Sequence, residues 1–320
     1  MSKGKLVISL DFELMWGVRD HHNHHTYGEQ IEAVHSTIPR MINLFDTYGV
    51  KATFSAVGML FARDLQELES YIPDLKPSYA KFDLSPYPTY LKSNAVSEHE
   101  RLHFAPTLID QIKDSDHEIG THSFSHYYCL EDGQTLEQFE SDLKSAIAIA
   151  ENKGIEVNSI VFPRNQFNQD YLEVCKRNNI SSVRGTENSW LYEARNRQNE
   201  SSLRRALRLL DAYINISGHH CHSIEETDDS IPINIPASRF LRPYSSALAF
   251  LEGLKLNRIK KSMKFAARNG LCYHLWWHPH NFSRNTEQNF KQLDQVLKYY
   301  LKLNQKYGME SLTMTDLSEQ

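Results

Sequence analysis

The arrangement of short apolar runs between amphipathic stretches limits what this chain can fold into more than any other feature. Leu6-Val7-Ile8-Ser9-Leu10 is a compact apolar run closed by Asp11, the pattern of a buried parallel strand. Residues 29–48 then carry apolar side chains at helical spacing (Ile31, Val34, Ile38, Met41, Ile42, Leu44 and Phe45), and Gly49 is a fitting stop. Lys51-Ala52-Thr53-Phe54-Ser55-Ala56-Val57 reads as a second strand, with another helix beginning near Gly58. Strand, helix and strand in that order imply parallel pairing with right-handed crossovers, hence an α/β protein.

Residues 72–97 break the rhythm. Pro73, Pro77, Pro86 and Pro88 prevent regular structure, and Tyr71, Tyr79, Tyr87 and Tyr90 are interspersed. An insertion over the barrel or sheet is expected there, packed on the protein surface or stacking its rings on a sugar, with a helix resuming near Glu98. The rhythm returns with helices at 135–152 and 168–178 and strands at Ser159–Phe162 and Ile180–Arg184. From about 185 to 245 the chain is polar and irregular, apart from a basic amphipathic stretch near 195–213. A helix at 245–269, a strand at Leu271–Trp277, a helix at 285–307 and a strand at Ser311–Met314 complete the reading. No repeat, low-complexity segment or compositional shift marks a linker, which favours one domain with insertions.

The chain has 320 residues, enough for one large α/β barrel. Its net charge of −5 lacks the basic excess of a nucleic-acid binder. Cys129, Cys175, Cys221 and Cys272 are widely spaced, which favours free thiols over a disulfide framework. No apolar run reaches the roughly 18 residues of a membrane-spanning helix. The run after Lys3 and Lys5 is too short for a signal peptide, so a cytoplasmic location is expected.

Candidate chemistry sits where strands end. In Gly120-Thr121-His122-Ser123-Phe124-Ser125-His126, two histidines lie four residues apart after a short strand that closes on glycine. A helix starting there would place both imidazoles on one face, as half of a divalent-metal site. In Asp11-Phe12-Glu13, period-two alternation points both carboxylates one way and Phe12 the other. Such a pair can divide labour, one carboxylate binding metal and the other accepting a proton; an ordinary polar strand end is the other reading. Arg164, in Val161-Phe162-Pro163-Arg164-Asn165-Gln166, could fix a carboxylate by bidentate hydrogen bonds. His278, in Trp276-Trp277-His278-Pro279-His280, could protonate a leaving amine.

Taken in order, strand-Asp, Ala-Thr-Phe, Gly-Thr-His-Ser-x-x-His, Pro-Arg and the late His-Pro make the chain similar to the polysaccharide deacetylase family, carbohydrate esterase family four. The resemblance spans about residues 5–316, and Gly120–His126 is its most specific piece. It implies a single catalytic domain over residues 1–320: a distorted (β/α)7 barrel with insertions at about 72–97 and 185–245. It also implies a divalent metal, zinc in many members, bound by His122, His126 and a carboxylate. Asp11 matches the base, Arg164 the residue that orients it, and His278 the acid. The usual first motif has two adjacent aspartates. Phe12 replaces the second, and Glu13 matches the spaced-carboxylate variant as third ligand.

The implied activity is removal of an N-acetyl group from a sugar, sugar nucleotide or lipid-linked glycan intermediate, in surface-polysaccharide biosynthesis. Phe12 leaves open a hydrolase of a small non-glycan amide, with or without metal. A non-catalytic glycan-binding relative is the third reading. Other clusters read as accessory: His21–His25 as a solvated loop or a pocket rim, Gly218–His222 as adventitious binding or a pocket rim, and Arg204–Arg208 as a solvated helix face or a contact for an anionic substrate. Trp276 and Trp277 alternate across a strand, so one belongs to the core and the other can line a sugar subsite.

Overall fold

The computed structural model describes residues 2–187, 189, 191–192, 202–223 and 232–320. The strands are β1 (Lys5–Phe12), β2 (Thr53–Ala56), β3 (Glu118–Thr121), β4 (Ser159–Ile160), β5 (Ser182–Val183), β6 (Ile233–Asn234), β7 (Arg239–Phe240), β8 (Cys272–Trp277) and β9 (Glu310–Leu312). The helices are α1 (His24–Glu32), α2 (Val34–Thr47), α3 (Leu65–Glu69), α4 (Asn94–Ser97), α5 (Pro106–Lys113), α6 (Leu136–Asn152), α7 (Gln169–Arg177), α8 (Ser202–Asp211), α9 (Glu252–Asn269), α10 (Thr286–Tyr307) and α11 (Met314–Ser318).

The strands form one sheet in the order β6-β5-β4-β3-β2-β1-β8-β7, and every pair is parallel. Its two ends belong to one stretch of chain. The Ile233, Ile235 and Ala237 N–H groups bond to the β5 side, whereas Ser238 and Leu241 donate to β8 carbonyls. The 233–241 run thus closes a barrel of seven staves: β1 to β5, that run, and β8. β9 pairs with Lys5–Val7, at the start of β1.

Alternation along the strands sorts side chains between two cores. Leu6, Ile8, Leu10 and Phe12 of β1, with Tyr273, Leu275 and Trp277 of β8, face the helices and join the main core. Val7 and Cys272 face inward instead. They pack with Val161, Ile235, Met314 and Leu317, and the last two belong to α11, which plugs the barrel floor. Above that plug the interior turns polar, with Ser9, Asp11 and His274 all buried. Catalytic groups in such folds gather at the C-terminal ends of the strands.

Two expectations change in detail. The single helix expected over 29–48 is two, α1 and α2, meeting at Ala33. The helix near Gly58 is a short 3-10 turn over Gly58–Phe61 followed by α3. The insertion at 72–97 is irregular apart from a turn at Phe82–Leu84 and α4. Of the basic stretch at 195–213, residues 195–201 lie outside the described residues, and most of the remainder is α8.

Candidate active site

Asp11 ends the inward-facing row of β1 and Glu13 lies just beyond the strand; both are 4 % exposed. Phe12 points away into the main core, as alternation requires. Gly17, in the 3-10 turn that follows, sits against the Glu13 carboxylate. A Cβ there would lie 2.0 Å from Glu13 Cδ, so the backbone itself walls in this side chain.

His122 and His126 do converge on one point, but not from a helix. After β3 the chain forms a loop with Ser123 and His126 both in left-handed backbone at φ 60°, and no helix begins before Leu136. The loop is held from within. The buried Asp142 of α6 accepts from Phe124 N at 2.7 Å, from Ser125 N, and from the Ser125 hydroxyl. Ser123 Oγ accepts from Tyr127 N at 2.7 Å. Side-chain acceptors thus replace the helical ladder, which makes a helix unnecessary and permits the two left-handed residues.

The donor set fits a divalent metal. Ligand atoms of Glu13, His122 and His126 lie within 4.8 Å of one another, and this is the one such buried trio among the described residues. Glu13 Oε2 is 3.1 Å from His126 Nε2 and 3.5 Å from His122 Nε2. Ligands of a tetrahedral zinc at about 2.1 Å would be separated by about 3.4 Å. His122 Nδ1 donates to the Val161 carbonyl at 2.7 Å, which fixes the tautomer and turns the Nε2 lone pair toward Glu13. Burial holds His126 down to about 4, against the pull of Glu13, so it is neutral and able to ligate. For Glu13 burial raises the pKa, but the charge of His278 and the close approach of His122 and His126 outweigh it and keep the carboxyl well below its ordinary range.

The arginine that grips Asp11 is Arg184, not Arg164. Arg184 follows β5 directly, is 1 % exposed, and donates from Nη1 to Asp11 Oδ1 at 2.6 Å and from Nη2 to Oδ2 at 2.9 Å. Burial raises the Asp11 pKa, and the Arg184 charge and hydrogen bonds overcome this, leaving it lowered. Arg184 Nη1 also donates to Ser9 Oγ at 3.0 Å, which is 2.8 Å from His274 Nε2, while His274 Nδ1 meets the Ile235 carbonyl at 3.1 Å. The Trp276 ring lies 4.2 Å from the Arg184 guanidinium. Arg164 instead stands at the cleft rim, paired with Asp20 and with Glu131, its guanidinium over the Tyr128 ring. The physical reason is the turn after β4, where Arg164 and Asn165 have φ 56° and 52° and throw the side chain outward. The signal for Arg184 was in the sequence, as an arginine closing a strand run, but strand order decides which such arginine faces inward.

His278 follows β8. Its Nε2 lies 3.7 Å from Asp11 Oδ2 and 3.8 Å from Glu13 Oε1, and its side chain reaches solvent. These groups line a cleft of about 450 Å³, together with His21, His22, Tyr27, Trp276 and His280. Trp277 is in the core while Trp276 lines the cleft. His24 and His25 turn away from it and cluster with His99. The 219–222 cluster is no part of the rim: His219 stacks on Phe265 and His222 pairs by its backbone with Cys272. The tyrosine-rich insertion lines a separate groove of about 620 Å³.

Comparison with known proteins bears on this geometry. The family model for polysaccharide deacetylase matches residues 25–183. No curated protein matches the sequence. A structure from Mycobacterium smegmatis named as a polysaccharide deacetylase aligns with TM-score 0.62 and 12% identity, covering 99% of this chain and 90% of that one. One from Pseudomonas aeruginosa PAO1, likewise named a polysaccharide deacetylase, gives 0.57 and 12%, covering 98% and 89%. An allantoinase gives 0.56 and 12%, again covering 98% and 89%. At such identities these structures share the fold, the deformed (β/α) barrel expected from sequence.

Proposed function

We propose that this chain, which belongs to the polysaccharide deacetylase family, hydrolyses the N-acetyl amide of a sugar or glycan precursor with a divalent metal at Glu13, His122 and His126. One observation carries the reading: a buried, bidentately held carboxylate, Asp11, stands beside a three-ligand cluster and a solvent-reaching histidine, all at the mouth of the barrel.

A divalent ion supplies Lewis-acid polarisation of the amide carbonyl and lowers the pKa of water toward about 7. Asp11 accepts the proton of the attacking water. Arg184 keeps Asp11 ionised and aims its oxygens, so that the base is oriented before substrate arrives. His278, beside both carboxylates and open to solvent, delivers a proton to the departing amine and is replenished from solvent. Trp276 and Tyr27 supply flat apolar walls for a sugar ring. Four free cysteines, three of them buried, suit a reducing compartment. That supports a precursor, such as a sugar nucleotide or lipid-linked intermediate, over a mature wall polymer.

The test is metal content and amine release measured on one preparation. Wild type should hold about one divalent ion per chain. The His122→Ala/His126→Ala pair should lose it, Glu13→Gln should bind it weakly, and Asp11→Asn should keep it while releasing no amine. A metal-loaded wild type inert on N-acetylated sugars, or full activity in Asp11→Asn, overturns the reading. Turnover that survives exhaustive chelation would transfer it to a metal-free amidase.

A further inference from the structure

A second pocket, of about 260 Å³, opens beside the catalytic cleft. Asn165, Phe240, Trp276 and His278 line both, so one molecule can occupy the two at once. The character changes across that shared wall. The cleft presents Asp11, Glu13 and imidazoles, whereas the far side of the second pocket presents Arg208, Arg239 and Arg242.

We propose that this pocket binds an anionic group of the substrate, a carboxylate or a phosphate carried by the N-acetylated sugar or its immediate neighbour. The proposal rests on the hydrolase reading above and deepens it by naming a substrate class. Three guanidiniums come from three different places in the chain: α8, β7 and the loop after it. Arg239 is 4 % exposed and shares a single carboxylate, Asp211, with Arg258, each at 3.3 Å. That carboxylate is further drawn on by the Tyr192 hydroxyl at 2.7 Å and the Ser217 N–H at 2.8 Å. Among the described residues Asp211 is the one carboxylate ion-paired with these two buried arginines, and Arg239 Nε has no hydrogen-bond partner. Arg242 is held by its own carbonyl, which accepts from Lys255 Nζ at 2.9 Å, and no described carboxylate is paired with its guanidinium.

Among the described residues the pocket has one lining carboxylate, Glu187, and burial pushes it above the ordinary carboxylate range, which weakens its opposition to an anion. Gathering guanidinium groups in a partly dry pocket is costly unless a ligand supplies the counter-charge. Carboxylates and phosphates match the planar fork of arginine. A neutral chitin-like oligosaccharide would offer Arg239 and Arg242 no counter-charge.

The experiment compares N-acetylglucosamine 1-phosphate, N-acetylglucosaminuronic acid and neutral N-acetylglucosamine in two readouts. Calorimetric binding is measured on metal-free protein, and amine release on metal-loaded protein, for wild type, Arg242→Gln and Arg208→Gln. The charged sugars should bind wild type at least about tenfold tighter than the neutral one, and each variant should erase most of that ratio. Preference for the phosphate over the uronate, or the reverse, identifies the anion. Equal binding of charged and neutral sugars, or a ratio untouched by both variants, overturns the subsite even if amine is released. Charge-selective binding lost in the variants, with no amine released from any sugar, sustains the subsite and defeats the hydrolase reading. Loss of helical signal in one variant passes the decision to the other, since Arg208 and Arg242 lie on different elements.

Discussion

Arg184 holds Asp11 with both terminal nitrogens, at 2.6 and 2.9 Å, inside a barrel where each side chain is at most 5 % exposed. Lysine can reach that carboxylate at one point only. Arg184→Lys should therefore keep the fold but lower kcat by about a hundredfold, with a smaller change in KM. Arg184→Gln also removes the charge that opposes burial, so the Asp11 carboxyl rises and the acid limb of the rate profile moves to higher pH. Steady-state kinetics from pH 5 to 9, beside circular dichroism, check both; an unmoved acid limb in Arg184→Gln counts against Asp11 as the base.

Gly17 backs the Glu13 carboxylate, with a hypothetical Cβ 2.3 Å from each carboxylate oxygen. Gly17→Ala must displace that side chain from the histidines. Metal affinity should fall about tenfold or more, as for a disturbed ligand environment, while His122 and His126 stay in place. Competition titration with a chromophoric chelator reads the loss. An unchanged affinity would remove Glu13 from the ligand set.

Asp142 does not reach the cleft, yet it accepts two backbone N–H groups of the loop that carries His126. Asp142→Ala strands both donors in a buried site, at a cost of about 3 kcal/mol. The expected result is a lower urea midpoint together with weakened metal binding. Asp142→Asn, which keeps one acceptor, should fall between wild type and Ala on both measurements.

His103 is buried under Trp16, with Nδ1 against the His99 carbonyl at 2.8 Å and Nε2 against the Tyr90 hydroxyl at 2.7 Å. Burial pushes it down to about 4. An unfolded histidine takes up its proton near 6.5, whereas the native one resists until about 4, so its contribution to stability is full above 6.5 and is lost as pH falls through that interval. Between pH 7 and 5 this group should cost the native state on the order of 1–2 kcal/mol. His103→Gln should flatten that part of the stability profile, as measured by denaturant melts at the two pH values.

The strand ends were legible because alternation is local: Asp11 and Glu13 inward and Phe12 outward follow from a period of two. The His122–His126 pairing was legible as a motif but not as a conformation. Helical spacing suggested a helix, while the loop depends on Asp142, which is 16 positions beyond His126 and unremarkable in an amphipathic helix. The choice between Arg164 and Arg184 needed three-dimensional information. Both close strand runs, and only the left-handed turn at Arg164–Asn165 sends one of them to the rim. The closing stave was missed for a different reason: β6 and β7 are two residues each, and the 233–241 run between polar flanks has too little periodicity to announce a strand.

That closing stave separates recognition from the ring. Because the 233–241 run bonds β5 on one side and β8 on the other, the chain leaves the barrel after Gly185 and re-enters at a single seam. The described residues between, α8 among them, belong to an excursion whose two ends are fixed to a finished ring. Arg208 lies within it, whereas Asp11, Glu13, His122, His126, Arg184 and His278 all lie outside. A sequence change confined to that excursion can alter what the chain recognises while leaving in place the ring that holds Asp11 and the histidines.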